Sequence, residues 1–320
     1  MSVADVLPIA PDSGPDLRMD YRWIDLRDEK KVFMFKIASA FEKYAVEFFD
    51  KEGFINIHTP KITTISSEGG SEVFEMKYFD RKAYLTQSPQ LYKQMSMMAG
   101  FDKTFEIGEL FRSNPSFTNR HATEFTCIDV EISFIESHHD VMDVEENMFK
   151  YIMKGMKEEY GEEYKRLFGK DMIEMNYEVP RALKGDLDPD GEKLICEWAK
   201  KKYGSDFVFI TDFPFKARAF YTMHREDNPE LSKSYDLLFK GLEITSGAQR
   251  EHRYEQLKAN IIEQEINPDD MKVYLDFFRY GAPTHGGFGL GLARTLAKLF
   301  DMPNVRDVIF IFRGPNRLTP

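Results

Sequence analysis

The segment Thr104–Phe134 constrains the fold most, because its apolar residues recur with the period of a β-strand. Two apolar-rich runs, Phe105–Phe111 and Phe125–Phe134, lie on either side of a loop of small and polar residues. In the second run apolar and polar residues alternate, which is typical of a strand with one buried face. The segment therefore predicts a long antiparallel hairpin.

Basic residues gather at the loop of this hairpin. Arg112 leaves the first strand, Arg120 and His121 close the loop, and Phe125 opens the return strand. A nucleoside triphosphate needs such a set, because its phosphates require positive charge and its base requires a flat surface. A solvated hairpin tip with scattered basic residues is the alternative that this segment leaves open.

Composition excludes several classes of protein. The 320 residues are 42% hydrophobic and 30% charged, as in an ordinary globular chain. No run approaches the roughly 20 apolar residues of a membrane helix, and the N-terminus does not resemble a secretory signal, so we expect a cytoplasmic protein without membrane contact. Cys127 and Cys196 provide neither a disulfide framework nor a zinc site. The net charge of -11 argues against an extended nucleic-acid surface, although a local basic patch stays compatible with it.

Hairpins with irregularly interspersed helices predict an α+β domain with an antiparallel sheet, rather than a regular βαβ array. Residues 1–17 are predicted as a tail, 18–320 as one domain, and 161–205 as a small, peripheral helical insertion. Further predicted elements are strands at Ala217–Met223, at Tyr235–Ser246 continuing through Gly247–Arg253, and at Val308–Phe312, and a glycine-rich turn region at Gly281–Gly291.

The run His285–Arg294 does not match a dinucleotide fingerprint, because Leu292 stands where the third glycine is required. A backbone that approaches something closely and delivers Arg294 from the first turn of a helix accounts for its glycines. Tight packing of a helix on a sheet is the alternative.

Two further sets of residues suggest binding sites. Asp236, Glu243 and Ser246 lie on one predicted strand, and their hard oxygen atoms suit magnesium. Exposed acidic residues without a metal are the alternative. Lys93 and Arg250 are predicted to be unpaired cations in apolar or small-residue surroundings, and structural salt bridges are the alternative for them.

Several strings resemble those of a known family. FRSNPSFTNRHATEFT and HGGFGLGLAR resemble the second and third signature motifs of class II aminoacyl-tRNA synthetases, and the helix and strand that end at Pro60 resemble the first. Within that class, YRWIDLR, TQSPQLYKQ, GLEITSGAQREHR, FRYGAP and NRLTP resemble the aspartyl branch of archaeal type. The resemblance covers Leu17 to Pro320. It implies a six- or seven-stranded antiparallel sheet and a homodimer built on the first motif.

The resemblance also implies a role for each matching position. For ATP, these are Arg112 at the α-phosphate, Arg294 at the γ-phosphate, His121 and Arg120 assisting, and Phe125 on the adenine. For magnesium, the implied ligands are Glu243, Ser246 and Asp236. For aspartate, they are Glu68 and Gln90 at the α-amino group, and Lys93 and Arg250 at the side-chain carboxylate.

The implied chemistry is that of an AMP-forming ligase. A carboxylate nucleophile has a reference pKa of about 4 and needs no general base at neutral pH, so catalysis reduces to positioning and positive charge. If Lys93 and Arg250 are unpaired, a bound amide leaves them uncompensated at a cost of roughly 3–5 kcal/mol, which favours aspartate over asparagine.

Three departures from the family pattern leave the function open. Asn114 and Ala293 each replace an acidic residue, and only a short tail precedes the core where family members carry an anticodon-binding barrel. The favoured hypothesis is a ligase that passes the aspartyl group to ammonia or another small amine, like the AMP-forming asparagine synthetase-related paralogues. A minimal aspartyl-tRNA synthetase, with tRNA as a less favoured partner, and a catalytically silent nucleotide-binding paralogue are the alternatives.

Overall fold

The computed structural model describes residues 5–64, 73–183 and 187–320, so Glu68 lies outside the described residues. The strands are β1 (Ile55–Asn56), β2 (Ile62–Thr63), β3 (Glu75–Tyr78), β4 (Arg81–Leu85), β5 (Lys103–Phe111), β6 (Glu124–Ser133), β7 (Arg181–Leu183), β8 (Phe207–Thr211), β9 (Ser234–Phe239), β10 (Glu243–Gln249) and β11 (His285–Gly291). The helices are α1 (Pro15–Asp20), α2 (Arg22–Asp25), α3 (Glu29–Lys51), α4 (Gln90–Met98), α5 (His138–Phe168), α6 (Pro189–Tyr203), α7 (Tyr254–Glu263), α8 (Lys272–Phe278) and α9 (Leu292–Leu299), with 3-10 turns at Phe215–Ala217 and Val305–Val308.

Eight of the strands form one central sheet in the order β1-β5-β6-β11-β10-β9-β8-β7. The six inner strands pair antiparallel, whereas the short edge strands β1 and β7 pair parallel to their neighbours. Strands β2, β4 and β3 form a separate small sheet. The α+β fold class and its antiparallel sheet are confirmed.

The predicted hairpin is present as β5 and β6, which pair without a break from Lys103 opposite Ile132 to Phe111 opposite Glu124. Its apolar face packs into the main core, as the alternation predicts. The polar face is buried as well, because Asp129 is 5% exposed and Glu131 is fully buried. Carboxylates buried in a sheet require partners, which places a charged cluster on that face.

Helices α3 and α5 cover the apolar face of the sheet. The aromatic stripe of α3 consists of core residues with at most 7% exposure: Phe33, Phe41, Phe48 and Phe49. Phe41 packs edge-on against Phe149 of α5, with their ring centroids 6.0 Å apart. The stripe is therefore accounted for by intramolecular packing, and it provides no free apolar surface for a dimer.

Residues 161–205 differ from the peripheral insertion that the sequence suggested. The fully buried Tyr164 donates a hydrogen bond to the Leu299 carbonyl at 2.9 Å, and Met172 and Met175 belong to the main core. Strand β7 extends the central sheet. The description as peripheral is thus corrected, while the domain boundaries stay predictions.

Three predicted strands are also corrected. The range Tyr235–Ser246 spans two strands, β9 and β10, because Lys240 and Gly241 both adopt positive φ and reverse the chain. Ala217–Met223 is no strand, since the Thr222 amide donates to the Ala219 carbonyl in a turn. Val308–Phe312 adds no strand to the sheet, because a 3-10 turn and bends occupy this region. Conversely, the region predicted as a glycine-rich turn contains strand β11.

Across residues 5–64, 73–183 and 187–320, no helix is both long and apolar enough to cross a membrane. Cys127 and Cys196 are both buried free thiols, in agreement with the absence of a predicted disulfide.

Candidate active site

A cleft of about 570 Å³ opens on the face of the sheet that α3 and α5 leave uncovered. Strands β5, β6, β10 and β11 form its floor, and α4 and α9 contribute side chains from its walls. It brings together ten residues that the sequence analysis selected: Gln90, Lys93, Arg112, Arg120, His121, Phe125, Glu243, Ser246, Arg250 and Arg294. Residues up to 204 positions apart along the chain thus share one site.

At one end of the cleft, which we call the nucleotide end, basic groups surround an aromatic ring. The Cζ atom of Arg112 lies 5.6 Å from the ring centroid of Phe125, and the Arg112 side chain is solvent-exposed. From the first turn of α9, Nη1 of Arg294 donates to the backbone carbonyl and to Oε1 of Glu243, each at 3.2 Å. This arrangement offers charge and a flat surface side by side, as triphosphate binding requires.

His121 lies among these cations. Partial burial, and then the charges of Arg294, Arg120 and Arg112, lower its pKa below the usual 6.5. The imidazole is therefore neutral at neutral pH, and it serves as a hydrogen-bonding group rather than as a charge. Arg120 in turn forms an ion pair with Glu192 of α6, with Nη1 3.3 Å from Oε1.

At the other end, which we call the amino-acid end, Lys93 and Arg250 are paired, contrary to the sequence-based prediction. The Lys93 ammonium lies 3.1 Å from Oδ1 of Asp129 and 3.4 Å from Oε2 of Glu131. The Arg250 guanidinium donates to both oxygens of Glu131, at 3.0 and 3.3 Å, and to the Gly287 carbonyl at 2.9 Å. We call Lys93, Asp129, Glu131 and Arg250 the buried quartet, because each is at most 5% exposed.

The formal charges of the quartet cancel. Burial raises the pKa of Glu131, but the Arg250 and Lys93 charges outweigh burial and hold that pKa below 4.5, so the carboxylate is ionised at neutral pH. The two cations consequently have compensating anions in the protein itself. A bound amide therefore leaves neither Lys93 nor Arg250 uncompensated.

Glycine in β11 is required by this quartet. A Cβ atom at Gly287 would come within 2.0 Å of the Val130 carbonyl and 2.3 Å of Oε2 of Glu131. Gly287 thus allows close packing of β11 on strand β6, whereas close approach of the glycine run to a ligand stays a prediction. Only a residue without a side chain allows β11 to pass directly over Glu131.

A neutral hydrogen-bonded chain supports the same end. Tyr274 donates its hydroxyl to Oε1 of Gln94 at 2.9 Å, and Nε2 of Gln94 lies 2.9 Å from Nε2 of His285. Because Nδ1 of His285 faces the Pro283 carbonyl at 2.9 Å, we assign Nδ1 as the donor and Nε2 as the acceptor. Burial lowers the His285 pKa to about 4, which keeps the ring neutral beside Glu131 and Arg250.

The predicted magnesium ligands are each engaged by arginine. Arg294 binds Glu243, and Arg218 lies between the other two, with Nη2 2.8 Å from Oδ1 of Asp236 and Nη1 donating to Oγ of Ser246 at 2.7 Å. Burial raises the Asp236 pKa although Arg218 opposes the shift. Two carboxylates and a hydroxyl are hard donors that fit Mg²⁺ together with water and phosphate oxygens. Among the described residues, no three His, Cys, Asp or Glu side chains are grouped so that they alone could hold a metal ion.

The family model described as tRNA synthetases class II (D, K and N) matches residues 14–313. The chain belongs to this family. Curated relatives include aspartate–tRNA(Asp) ligase of Pyrococcus abyssi, 42% identical over 95% of this chain and 73% of the relative, and aspartate–tRNA(Asp/Asn) ligase of Aeropyrum pernix, 39% identical over the same shares. As a member of the class II tRNA synthetase family, the chain belongs to the AMP-forming ligases, as its sequence predicts.

Solved structures of class II synthetases share the fold. Asparaginyl-tRNA synthetase from Pyrococcus horikoshii in complex with asparaginyl-adenylate superposes with a TM-score of 0.89 at 29% identity, covering 98% of this chain and 76% of that one. Aspartyl-tRNA synthetase from Entamoeba histolytica superposes with a TM-score of 0.85 at 34% identity, covering 100% of this chain and 65% of that one.

Sequence reasoning missed four residues that organise this synthetase site. Asp129 and Glu131 carried a usable signal, because two carboxylates on a strand beside an apolar hairpin core need partners. Arg218, which follows a 3-10 turn, and Glu192, which lies in the segment judged peripheral, carried none.

Proposed function

We propose that this chain uses ATP to activate aspartate, forming aspartyl-adenylate and releasing pyrophosphate. The observation that carries the proposal is the joining, in one cleft, of the nucleotide end around Arg112, Phe125 and Arg294 with the buried quartet. Relatives with 39–42% identity are named aspartate–tRNA ligases, which supports aspartate as the amino acid.

In the proposed reaction, a carboxylate oxygen of aspartate attacks the α-phosphorus of ATP. A new O–P bond forms, the bond to the bridging oxygen of the β-phosphate breaks, and pyrophosphate leaves with its electron pair. Arg112 stabilises charge at the α-phosphate, and Arg294 stabilises it at the γ-phosphate. Glu243, Ser246 and Asp236 would hold magnesium, which would supply additional positive charge at the phosphates.

At the amino-acid end, Arg250 and Lys93 face the substrate carboxylate, and Gln90 faces its amino group. Glu68 has the same proposed role as Gln90. The quartet is neutral as a whole, and the Lys93 ammonium donates to Asp129 and to the Val130 and Phe288 carbonyls. Selection of aspartate therefore rests on the Nη1 donors of Arg250, since its Nε and Nη2 donate to Glu131 and Gly287, rather than on uncompensated charge.

For the second step we propose ammonia as the acceptor. Asparagine requires that aspartate binds reversed, with its α-carboxylate at Lys93 and Arg250 and its side-chain carboxylate activated. The ammonia nitrogen then attacks the side-chain carbonyl, AMP leaves, and asparagine forms after loss of a proton. The net charge of -11 supports a small acceptor over an extended RNA, because RNA contacts require Lys and Arg at several phosphates. Transfer to tRNA is the second candidate, and the names of the relatives favour it. Asn114 and Ala293 near the nucleotide favour a silent paralogue as a third outcome.

Product analysis separates these outcomes. The protein is incubated with ATP, Mg²⁺ and aspartate, with either ammonium or total tRNA, and free asparagine, AMP and aspartyl-tRNA are quantified. Asparagine formed together with equimolar AMP supports the ammonia proposal. Aspartyl-tRNA without asparagine replaces it with the second candidate, and neither product replaces it with the third. The Arg112→Ala variant is the matched negative control for both products.

We also propose a homodimer, for which the resemblance to the family's first motif is the support. The aromatic stripe of α3 does not contribute, since it is buried in the chain's own core. Sedimentation velocity tests the proposal, and a single 37.4 kDa species at micromolar concentration contradicts it.

A further inference from the structure

Arg218 occupies the place between two of the oxygens proposed to bind magnesium. Its Nη1 donates to Oγ of Ser246 at 2.7 Å, and its Nη2 lies 2.8 Å from Oδ1 of Asp236. Asp236 is 9% exposed, so its carboxylate needs a nearby cation or a metal when it is ionised. The two oxygens thus already hold a positive group that belongs to the chain.

The chain holds this side chain at the edge of the cleft from several directions. The guanidinium stacks on Phe213, with Cζ 3.6 Å from the ring centroid, and Gln264 donates to the Arg218 backbone carbonyl at 2.7 Å. Its hydrogen bonding is incomplete, however, because the buried Nε and Nη2 atoms have no aligned acceptor. Arg218 is therefore well placed by packing but incompletely satisfied by the acidic pair that it faces.

We propose that Arg218 is an internal cation that competes with a divalent metal for Asp236 and Ser246. The proposal rests on the metal site of the proposed function. A divalent metal ion at these two oxygens and the guanidinium beside it repel each other, so metal binding weakens the contact of Arg218 with Ser246 and its ion pair with Asp236. The apparent metal affinity is then the free energy of metal binding to these oxygens minus the free energy of the Arg218 contacts that are lost.

The direct test measures Mn²⁺ binding to the nucleotide-free protein by the loss of the free-ion EPR signal. Arg218→Gln removes the competing charge, and we expect it to bind Mn²⁺ about tenfold more tightly than the unmodified protein. Arg218→Lys retains a charge but cannot bridge two oxygens, so a smaller tightening is expected. Asp236→Asn should bind more weakly than the unmodified protein.

Arg225→Gln is the matched control. Arg225 is a nearby arginine that pairs with Asp212 and Asp227 outside the cleft, and its replacement should leave Mn²⁺ affinity unchanged. Thermal melting verifies that each variant folds, and Arg218→Lys carries the test if Arg218→Gln does not fold.

Equal or weaker Mn²⁺ binding by folded Arg218→Gln overturns the proposal. An equal increase in Mn²⁺ affinity in Arg225→Gln also overturns the proposal, because the increase then reflects the lower net positive charge and not the position of Arg218. If no variant binds Mn²⁺, the proposal fails as well, whereas the proposed ligase reaction is judged separately by its products.

Discussion

The two ends of the cleft use the same residue type in different ways. At the nucleotide end Arg112 is exposed beside Phe125, and its charge is available to a ligand. At the amino-acid end Arg250 is 5% exposed, and its Nε and Nη2 donors are directed to Glu131 and Gly287. The nucleotide end thus presents solvent-exposed charge, whereas the charges of the amino-acid end are buried and paired within the sheet.

This difference separates binding from stability. A buried ion pair that loses one partner leaves an uncompensated charge, whereas an exposed arginine is solvated with or without a ligand. We therefore expect substitutions in the buried quartet to change the free energy of unfolding and substitutions at the nucleotide end to change mainly rate and affinity. The following predictions test this division, from the largest expected effect to the smallest.

Glu131→Gln should lower the free energy of unfolding by about 3–5 kcal/mol, because Arg250 and Lys93 lose their shared counter-ion. Urea unfolding followed by circular dichroism measures the change. The matched control is Glu75→Gln, which breaks an exposed pair with Lys82 and should cost less than about 1 kcal/mol. Similar losses for both variants would remove the distinction between the two kinds of charge.

Arg112→Ala should reduce the rate of aspartate-dependent ATP–pyrophosphate exchange about a hundredfold to a thousandfold, as for the loss of one preorganised charge at a transition state. Its free energy of unfolding should change by less than about 1 kcal/mol, because the side chain is exposed. A large loss of stability with an unchanged exchange rate in the folded fraction would show that Arg112 stabilises the fold rather than the transition state.

Glu145 on α5 extends the comparison to the opposite face of the sheet. It accepts a hydrogen bond from Tyr235 at 2.7 Å, and burial raises its pKa from 4.5 to about 8. The folded state therefore binds the Glu145 proton more tightly than the unfolded state does. This preference stabilises the fold fully below pH 4.5, and the stabilisation is lost as the pH rises to about 8. Glu145→Gln should therefore be more stable than the unmodified protein at the upper end of this range, by about 4 kcal/mol, and equal to it at the lower end.

Urea unfolding across that pH range measures this difference. The exposed Glu158 on the same helix provides the control variant Glu158→Gln, which should keep the pH dependence of the unmodified protein. If the curve for Glu145→Gln runs parallel to that of the unmodified protein, this carboxyl group does not hold a proton in the folded state.

The smallest effect is expected for Arg120→Gln. The pair with Glu192 is partly exposed, with side-chain exposures of 22% and 10%, so its loss should cost about 1 kcal/mol or less. The Kd for ATP should rise only a few fold, because Arg112 and Arg294 remain. Isothermal titration with ATP and urea unfolding measure both quantities, and a loss of binding as large as that of Arg112→Ala would make Arg120 a principal ligand.

The parts of the fold that depend on local patterns were predictable. The β5–β6 hairpin follows from its period-two alternation, and α3 follows from apolar residues at helical spacing between Asp28 and Lys51 with a stop at Gly53. The cations of the nucleotide end lie close together along the chain or in recognisable motifs, which is why they could be selected before the structure was known.

The parts that depend on long-range contacts were not predictable in the same way. Glu131 pairs with Arg250 across 119 positions, and nothing near either residue indicates its partner. The turn at Gly241 was not predicted because the residues on both sides of it also suit one continuous strand. A single residue with positive φ does not change the periodicity of the apolar residues. Residues 161–205 looked peripheral because their core residues, such as Tyr164, are widely spaced among charged ones.

The most direct test of the central claim, that this cleft activates aspartate with ATP, is ATP–pyrophosphate exchange measured with the unmodified protein. We predict exchange that depends on aspartate and on Mg²⁺, with at most weak exchange when asparagine replaces aspartate, because Nη1 of Arg250 can donate to a carboxylate oxygen but cannot accept from an amide NH2 group. This assay needs no acceptor, so its result does not depend on whether ammonia or tRNA completes the reaction. Equal exchange with both amino acids, or none with either despite ATP binding, would contradict the account.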